Sequence, residues 1–295
     1  MKRILLFSIL ACGLVCIAAG VFYVMNYSYE SHAAMLLASL CMLVPAAVTI
    51  FMQAVIEKER PSHRIGLRFR PNWWWLACWL LPAMLSIATM GVSCLYPHTD
   101  FSFHTDHFTT AIDKINSAAQ GKLTITPQLF LVTNFINGLI AGATINALLA
   151  LGEEVGWRGY LLRLFSGKPF VLSAIVIGFI WGIWHLPLIL LGHNYPHHPI
   201  MGSALMLVFC ITLSPIMQYL RLKSGSLIAV AIFHGTFNAF GGLGLLCLNN
   251  FDELLDGSAG LAGILVLLAA DVLLYCHDSR FSKSSIFKSG IPLPQ

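Results

Sequence analysis

Six residues in three short motifs have the types and spacing for hydrolytic chemistry. They are Glu153, Glu154 and Arg158 in Glu-Glu-Val-Gly-Trp-Arg, His185 in Trp-Gly-Ile-Trp-His-Leu-Pro, and His234 with Asn238 in His-Gly-Thr-Phe-Asn. A glutamate and an imidazole together can polarise a water and take its proton, the general-base step of hydrolysis. A second imidazole and a carboxamide can donate hydrogen bonds to a developing oxyanion. Glu153, His185 and His234 also form a donor set of one carboxylate and two imidazoles, which suits a catalytic zinc ion with an open fourth position for water. The residue types fit both schemes and the spacing chooses neither.

Helical spacing separates the two carboxylates. Glu154 and Arg158 are four apart and share a face, so they can pair. Glu153 points about 100° away from Glu154, which leaves it able to face a cavity. Gly152, Gly156 and Gly159 run alongside and would admit a close helix neighbour or a local break. His234 and Asn238, again four apart, share a face.

The elements that carry these motifs are apolar. The chain has 295 residues, 57% hydrophobic and 10% charged, with a mean hydropathy of +0.77. That composition belongs to an all-α polytopic membrane protein and excludes a soluble domain. A spanning helix needs roughly 20 apolar residues, and the pattern predicts about eight. The first three fall at about 4–25, 33–56 and 73–95, the last opened by Trp73-Trp74-Trp75 at headgroup depth. A polar outer segment, 96–127, precedes the fourth run from 128. The remaining spans fall at about 170–191, 201–220, 227–248 and 259–276. The tail from 277 reads as polar and poorly ordered. Ionisable groups inside such helices are costly to keep, so the three motifs stand out as a functional site.

Charge placement predicts the orientation. With both termini cytoplasmic, eight spans put the basic residues inside, in the amino-terminal end, the 57–71 loop, the 158–168 segment, the 221–226 link and the tail. Only Lys114 and Lys122 fall outside. The turn at Ser166-Gly167-Lys168-Pro169 makes a hairpin in which Glu153 and His185 both lie roughly 20–24 Å from the turn, hence level with each other. The fourth helix is then too long to stand straight, and a bend is expected near residues 152–159. His234 lies only about 12 Å from its own turn, so its helix must start below the surface or tilt.

Other polar residues read more plainly. The eight cysteines lie in or beside apolar runs without a CxxC pair and read as packing residues. His193, His197 and His198 read as a solvated turn, and His98, Asp100, His104, Asp106 and His107 as an outer cluster without metal-ligand spacing. Asp271 is expected to reach the interface or a neighbouring hydroxyl. The first span is expected to stay uncleaved rather than serve as a signal peptide.

The order EExxxR, a helix with an aromatic four residues before a histidine, then HxxxN resembles the CPBP family, which includes the CAAX prenyl proteases of the Ras-converting type and the bacterial Abi proteins. The resemblance covers about residues 128–250. It implies an eight-helix intramembrane endopeptidase, glutamate- or metal-dependent, with a cavity opening to the cytoplasmic side. It further implies Glu153 as the catalytic glutamate, Glu154 and Arg158 completing that motif, His185 assisting the water, and His234 with Asn238 stabilising the oxyanion. Where the family usually has phenylalanine four residues before the histidine, this chain has Trp181, expected to fill the same packing role. The expected organisation is an amino-terminal three-helix region (1–127), a catalytic core (128–250) and a last span with its tail (251–295). The expected partners are the lipid bilayer and a peptide or lipidated protein substrate, without nucleic acid, in a bacterial plasma membrane. Zinc is the one cofactor in question. A non-catalytic immunity or partner-binding protein and a proton-coupled transporter are the alternatives. The transporter is disfavoured by the lack of internal repeat symmetry.

Overall fold

A computed structural model describes residues 1–29, 31–60, 65–118, 124–282, 285–288 and 290–292. Arg64, Lys122 and Lys283, used in the charge argument, lie outside the described residues. The described chain is helical, with only isolated bridges at Phe101–Leu248 and Pro169–Gly290. In order it runs α1 (Lys2–Val24), α2 (His32–Phe51, extended by a π-helical turn Met52–Ile56), α3 (Trp73–Ser93), α4 (Asp106–Ala118), α5 (Pro127–Ala143) and α6 (Ile145–Glu154). A π-helical stretch, Val155–Leu161, leads into α7 (Leu162–Leu164). Then come α8 (Phe170–Leu190), α9 (Pro199–Ser224), α10 (Leu227–Phe240), α11 (Leu243–Cys247) and α12 (Leu261–Phe281). Among the described residues seven helices are long and apolar enough to cross a membrane, and the bent pair of α5 with α6–α7 makes an eighth. An all-α polytopic membrane protein is therefore what the sequence folds into.

Local chemistry sets the ends that matter. Asn72 caps α3 by accepting from the Trp74 amide at 3.0 Å, which leaves Trp73 85% exposed at the rim of the bundle. Thr126 caps α5, with Pro127 in the first turn where its missing N–H costs nothing. α9 ends on Gly225, whose φ of +66° is the left-handed conformation that stops a helix without strain.

The bend in the fourth span lies elsewhere than expected. It is a 43° turn at Thr144, ahead of the glycines. There a Cβ on Gly235 of α10 would sit 2.4 Å from the Ala147 amide, so the two backbones cross in near contact and the span is turned around that crossing. Gly152 serves a close approach as well: a Cβ there would lie 2.6 Å from the Met42 carbonyl of α2. The stretch after it widens to a π-helix, a form common at functional sites.

α8 packs against α9, and α10 lies against α3, α5, α6 and α9. α10 begins inside the protein. Ser226 and Leu227 are fully buried. The Leu227 amide donates to the Gly66 carbonyl at 3.0 Å and Ser226 Oγ to the Arg68 carbonyl at 2.6 Å. The 65–68 strap thus covers the start of α10 and answers the short distance from turn to His234.

Two polar stretches hold more structure than their composition suggests. The outer segment contains α4, an amphipathic helix that buries Phe108 and Ile112 against Phe130 and Cys247. The tail expected to be disordered is pinned instead. Buried Asp278 accepts from Ser285 Oγ at 2.7 Å and the Phe287 amide at 3.2 Å. Phe287 packs on Phe170 and Tyr219, and the Gly167 amide donates to the Ile291 carbonyl.

Candidate active site

The kinked span, α8 and α10 bring the three motifs around one cavity of about 340 Å³. Glu153, Trp181, His185, His234 and Asn238 all line it. The chain reverses through Gly167 between the kinked span and α8, and Trp181 Nε1, one turn before His185, donates across to Glu153 Oε2 at 2.7 Å. The level expected from counting residues is therefore met by a direct bond.

Glu153 is 3% exposed, and its known donors are both indoles. Trp157 Nε1 donates to the same oxygen, Oε2, at 3.3 Å. Among the described residues Oε1 carries no such bond. Trp181 therefore does more than pack. Its N–H holds a buried carboxylate, and its ring face lies 4.5 Å from the Arg158 guanidinium carbon. A phenylalanine could supply the ring and not the donor.

Glu154 is fully buried and accepts on both oxygens. Its Oε1 accepts from Arg158 Nη1 at 3.0 Å and from His234 Nδ1 at 2.8 Å, and Oε2 takes a second contact from Nη1 at 3.4 Å. The expected pairing with Arg158 is present, with His234 added to it. Because Nδ1 of His234 is committed to Glu154, only Nε2 remains for the cavity, and Nε2 donates when the ring carries both protons. His185 is oriented in a similar way. A carbonyl can only accept, so the 2.9 Å contact to Trp181 O makes Nδ1 the donor and Nε2 an acceptor. Asn238 is exposed to the cavity one turn beyond His234.

A metal does not suit this arrangement. Among the described residues no group of three or more His, Cys, Asp or Glu side chains is placed to hold an ion, so Glu153, His185 and His234 do not form the zinc set that their types allow. Both histidines use Nδ1 on protein partners, which leaves Nε2 of each for the cavity. What the arrangement can do is hold a water between a carboxylate oxygen and an imidazole acceptor, with N–H donors close by.

The cavity extends from Glu153 towards the links at one end of the bundle, lined there by His193, Asn194, Glu253, Asp256 and Gly260. Those links lie opposite the ends that carry Arg163, Lys168, Arg221 and Lys223. The charge-based orientation and a cytoplasmic opening of this cavity therefore do not combine in this structure. At the open end, burial pushes the His193 imidazole down to about 4.

The remaining polar candidates serve structure. His98 Nε2 meets Asp256 Oδ2 at 2.8 Å and Asp100 accepts from Asn249 Nδ2 at 3.1 Å, tying the outer segment to the last link. The His197 and His198 amides both donate to Glu253 Oε1. Asp271 meets no neighbouring hydroxyl: its Oδ1 is buried without a partner among the described residues.

Residues 121–240 match the sequence model of the family described as Type II CAAX prenyl endopeptidase Rce1-like. Over 142 residues, 46% of this chain and 50% of the relative, the chain is 30% identical to the CAAX prenyl protease 2 of Methanococcus maripaludis. The chain thus spans about half the length of that curated relative. All six motif residues, from Glu153 to Asn238, fall inside the family match, and the resemblance seen in the motifs is borne out there.

Proposed function

We propose that this chain, an Rce1-like CAAX prenyl endopeptidase across residues 121–240, is an intramembrane protease that hydrolyses a peptide bond of a membrane-associated or lipidated peptide. One observation carries the reading. Glu153 is held by two neutral indole donors on a single oxygen, in a cavity that it shares with His185, His234 and Asn238.

The chemistry follows from the hydrogen-bond inventory. A water in the cavity gives a hydrogen bond to His185 Nε2 and its proton to Glu153 as it attacks the scissile carbonyl. The resulting tetrahedral oxyanion accepts from the Asn238 amide and from His234 Nε2–H, the imidazolium being balanced by Glu154. Protonated Glu153 then returns the proton to the leaving amine as the C–N bond breaks. Arg158 holds Glu154, and through it His234, and touches no reacting atom. No step is routed through a metal.

The chain is integral to the membrane. Our reading puts it in a plasma membrane, and charge asymmetry orients it with both termini cytoplasmic. The relative's printed name, a CAAX prenyl protease, makes a prenylated carboxyl-terminal segment the first substrate to try, and a leader or pheromone-type peptide the second. The test compares membrane-associated peptides from cells carrying wild-type protein with those carrying Glu153→Ala, at matched insertion. The expected result is a precursor that accumulates uncleaved in the variant. Normal processing of every precursor by Glu153→Ala overturns the proposal.

A further inference from the structure

A second cavity, about 370 Å³, lies behind the site at the basic end of the bundle. Arg68, Arg70, Arg158, Arg163, Arg221 and Lys223 line it, together with Asn72, Ser224 and Gly225, and among the described residues no carboxylate does. Some of this charge is already matched. Arg158 pairs with Glu154, Arg163 with Glu57 and Glu59, and Lys223 with Asp278. Arg68, Arg70 and Arg221 have no carboxylate partner among the described residues.

The guanidinium groups also hold donors with nothing to donate to. Arg158 Nε and Nη2, Arg163 Nε and Arg221 Nε are buried without a protein acceptor among the described residues. Arg158 is 1% exposed and Arg221 6%. Arg221 is further fixed by its Nη2, which donates to the Ile65 carbonyl at 3.2 Å. Buried N–H groups are almost always satisfied, and an arginine has only donors to offer. The unmatched charge of Arg68, Arg70 and Arg221 along the cavity wall favours an acceptor-rich, negatively charged occupant.

Phosphate meets both requirements, since its oxygens match the planar donor fork of arginine. The location narrows the source. Phe69 is 74% and Trp73 85% exposed, and they flank Arg70 at the end of α3, where amphipathic rings sit at headgroup depth. Basic pockets between helix ends at that depth suit lipid headgroups. We propose that this cavity binds a phosphate group, carried by an anionic phospholipid headgroup or free in solution. The occupant would lie against Arg158, which on its other side holds Glu154 of the active-site network.

The test uses the full chain, purified in neutral detergent and stripped of lipid. In one arm, native mass spectrometry measures retention of phosphatidylglycerol against phosphatidylcholine. In the other, inorganic phosphate is titrated at constant ionic strength and thermal unfolding is followed. Arg68→Gln with Arg70→Gln removes two cations from the half-buried and exposed rim. Arg60→Gln with Arg280→Gln, both exposed and outside the cavity, removes the same charge elsewhere. Phosphatidylglycerol is expected to be retained over phosphatidylcholine, with retention falling about tenfold or more in the cavity pair and not in the control pair. A phosphate-dependent rise in melting that only the cavity pair abolishes identifies free phosphate as the ligand instead. Equal losses in both pairs, or no binding in either arm, overturns the proposal.

Discussion

Replacing Glu154 by glutamine separates the two adjacent carboxylates more sharply than any change to Glu153. The Glu154 and Arg158 side chains are both fully buried, 3.0 Å apart, and the same oxygen of Glu154 takes His234 Nδ1 at 2.8 Å. Glutamine keeps the shape and one acceptor but removes the only acidic partner that the buried Arg158 guanidinium has among the described residues. Breaking a buried ion pair on one side costs about 3–5 kcal/mol, because the remaining charge is left uncompensated. At about 2–4 °C per kcal/mol for a chain of this size, the melting temperature falls on the order of 10 °C. Glu153→Gln, whose amide oxygen can still accept from Trp157 and Trp181, stays within about 1 kcal/mol of wild type. Tryptophan fluorescence of the protein in nanodiscs reads both. Adding Arg158→Met to Glu154→Gln removes the stranded cation and restores part of the loss, since apolar replacement of a whole buried pair is often near neutral. The reasoning fails if Glu154→Gln melts within about 2 °C of wild type, or if Arg158→Met adds its own full cost to the double variant.

Trp181→Phe keeps a ring on α8 but deletes the 2.7 Å bond to Glu153, a charge-assisted bond of about 1.5–3 kcal/mol. Cleavage of a fluorogenic peptide is expected to fall about tenfold or more, and wild-type kcat/KM would reduce Trp181 to a packing residue. Gly152→Val brings side-chain carbon onto the Met42 carbonyl, where a Cβ alone would be 2.6 Å away. The overpacking costs about 1–3 kcal/mol, read as lowered melting with the α2–α6 contact loosened in cysteine cross-linking. The His193 imidazole, pushed by burial from 6.5 to about 4, favours the folded state in its neutral form. That stability is complete above pH 6.5 and is lost as pH falls towards 4. His193→Gln should therefore lose less melting temperature than wild type between those values, and an unchanged difference would sink the assignment.

Much of this was legible because membrane helices leave few choices. Apolar runs and basic links gave the spans. Residue counting through Gly167 put Glu153 and His185 at one depth, and i,i+4 spacing paired Glu154 with Arg158. What escaped depends on contacts across helices. The bend at Thr144 is caused by the backbone crossing at Gly235, a residue more than eighty positions away. The bond from Trp181 to Glu153 needs the rotamers of two helices. Both Phe108–Ile112 in α4 and Asp278 in the tail carried a local signal, since apolar spacing of four and an acid seven residues before Ser285 can be read from sequence. They were hidden by the polarity around them.

Lone-pair counting separates the two carboxylates further. Both oxygens of Glu154 are engaged by Arg158, with His234 added on Oε1, and Glu154 is not among the residues that line the cavity. Glu153 receives both of its donors on Oε2, and they are neutral indoles that fix the plane of the carboxylate without cancelling its charge. That leaves Oε1 as the acceptor for a water proton. Adjacent residues about 100° apart on one helix thereby divide the work: one carboxylate binds the buried cations, and the other faces the cavity and its water. Exchanging the pair's roles would require Arg158 to pair with Glu153, and the same i,i+4 spacing that joins Arg158 to Glu154 sets the Trp157 indole on Glu153 instead.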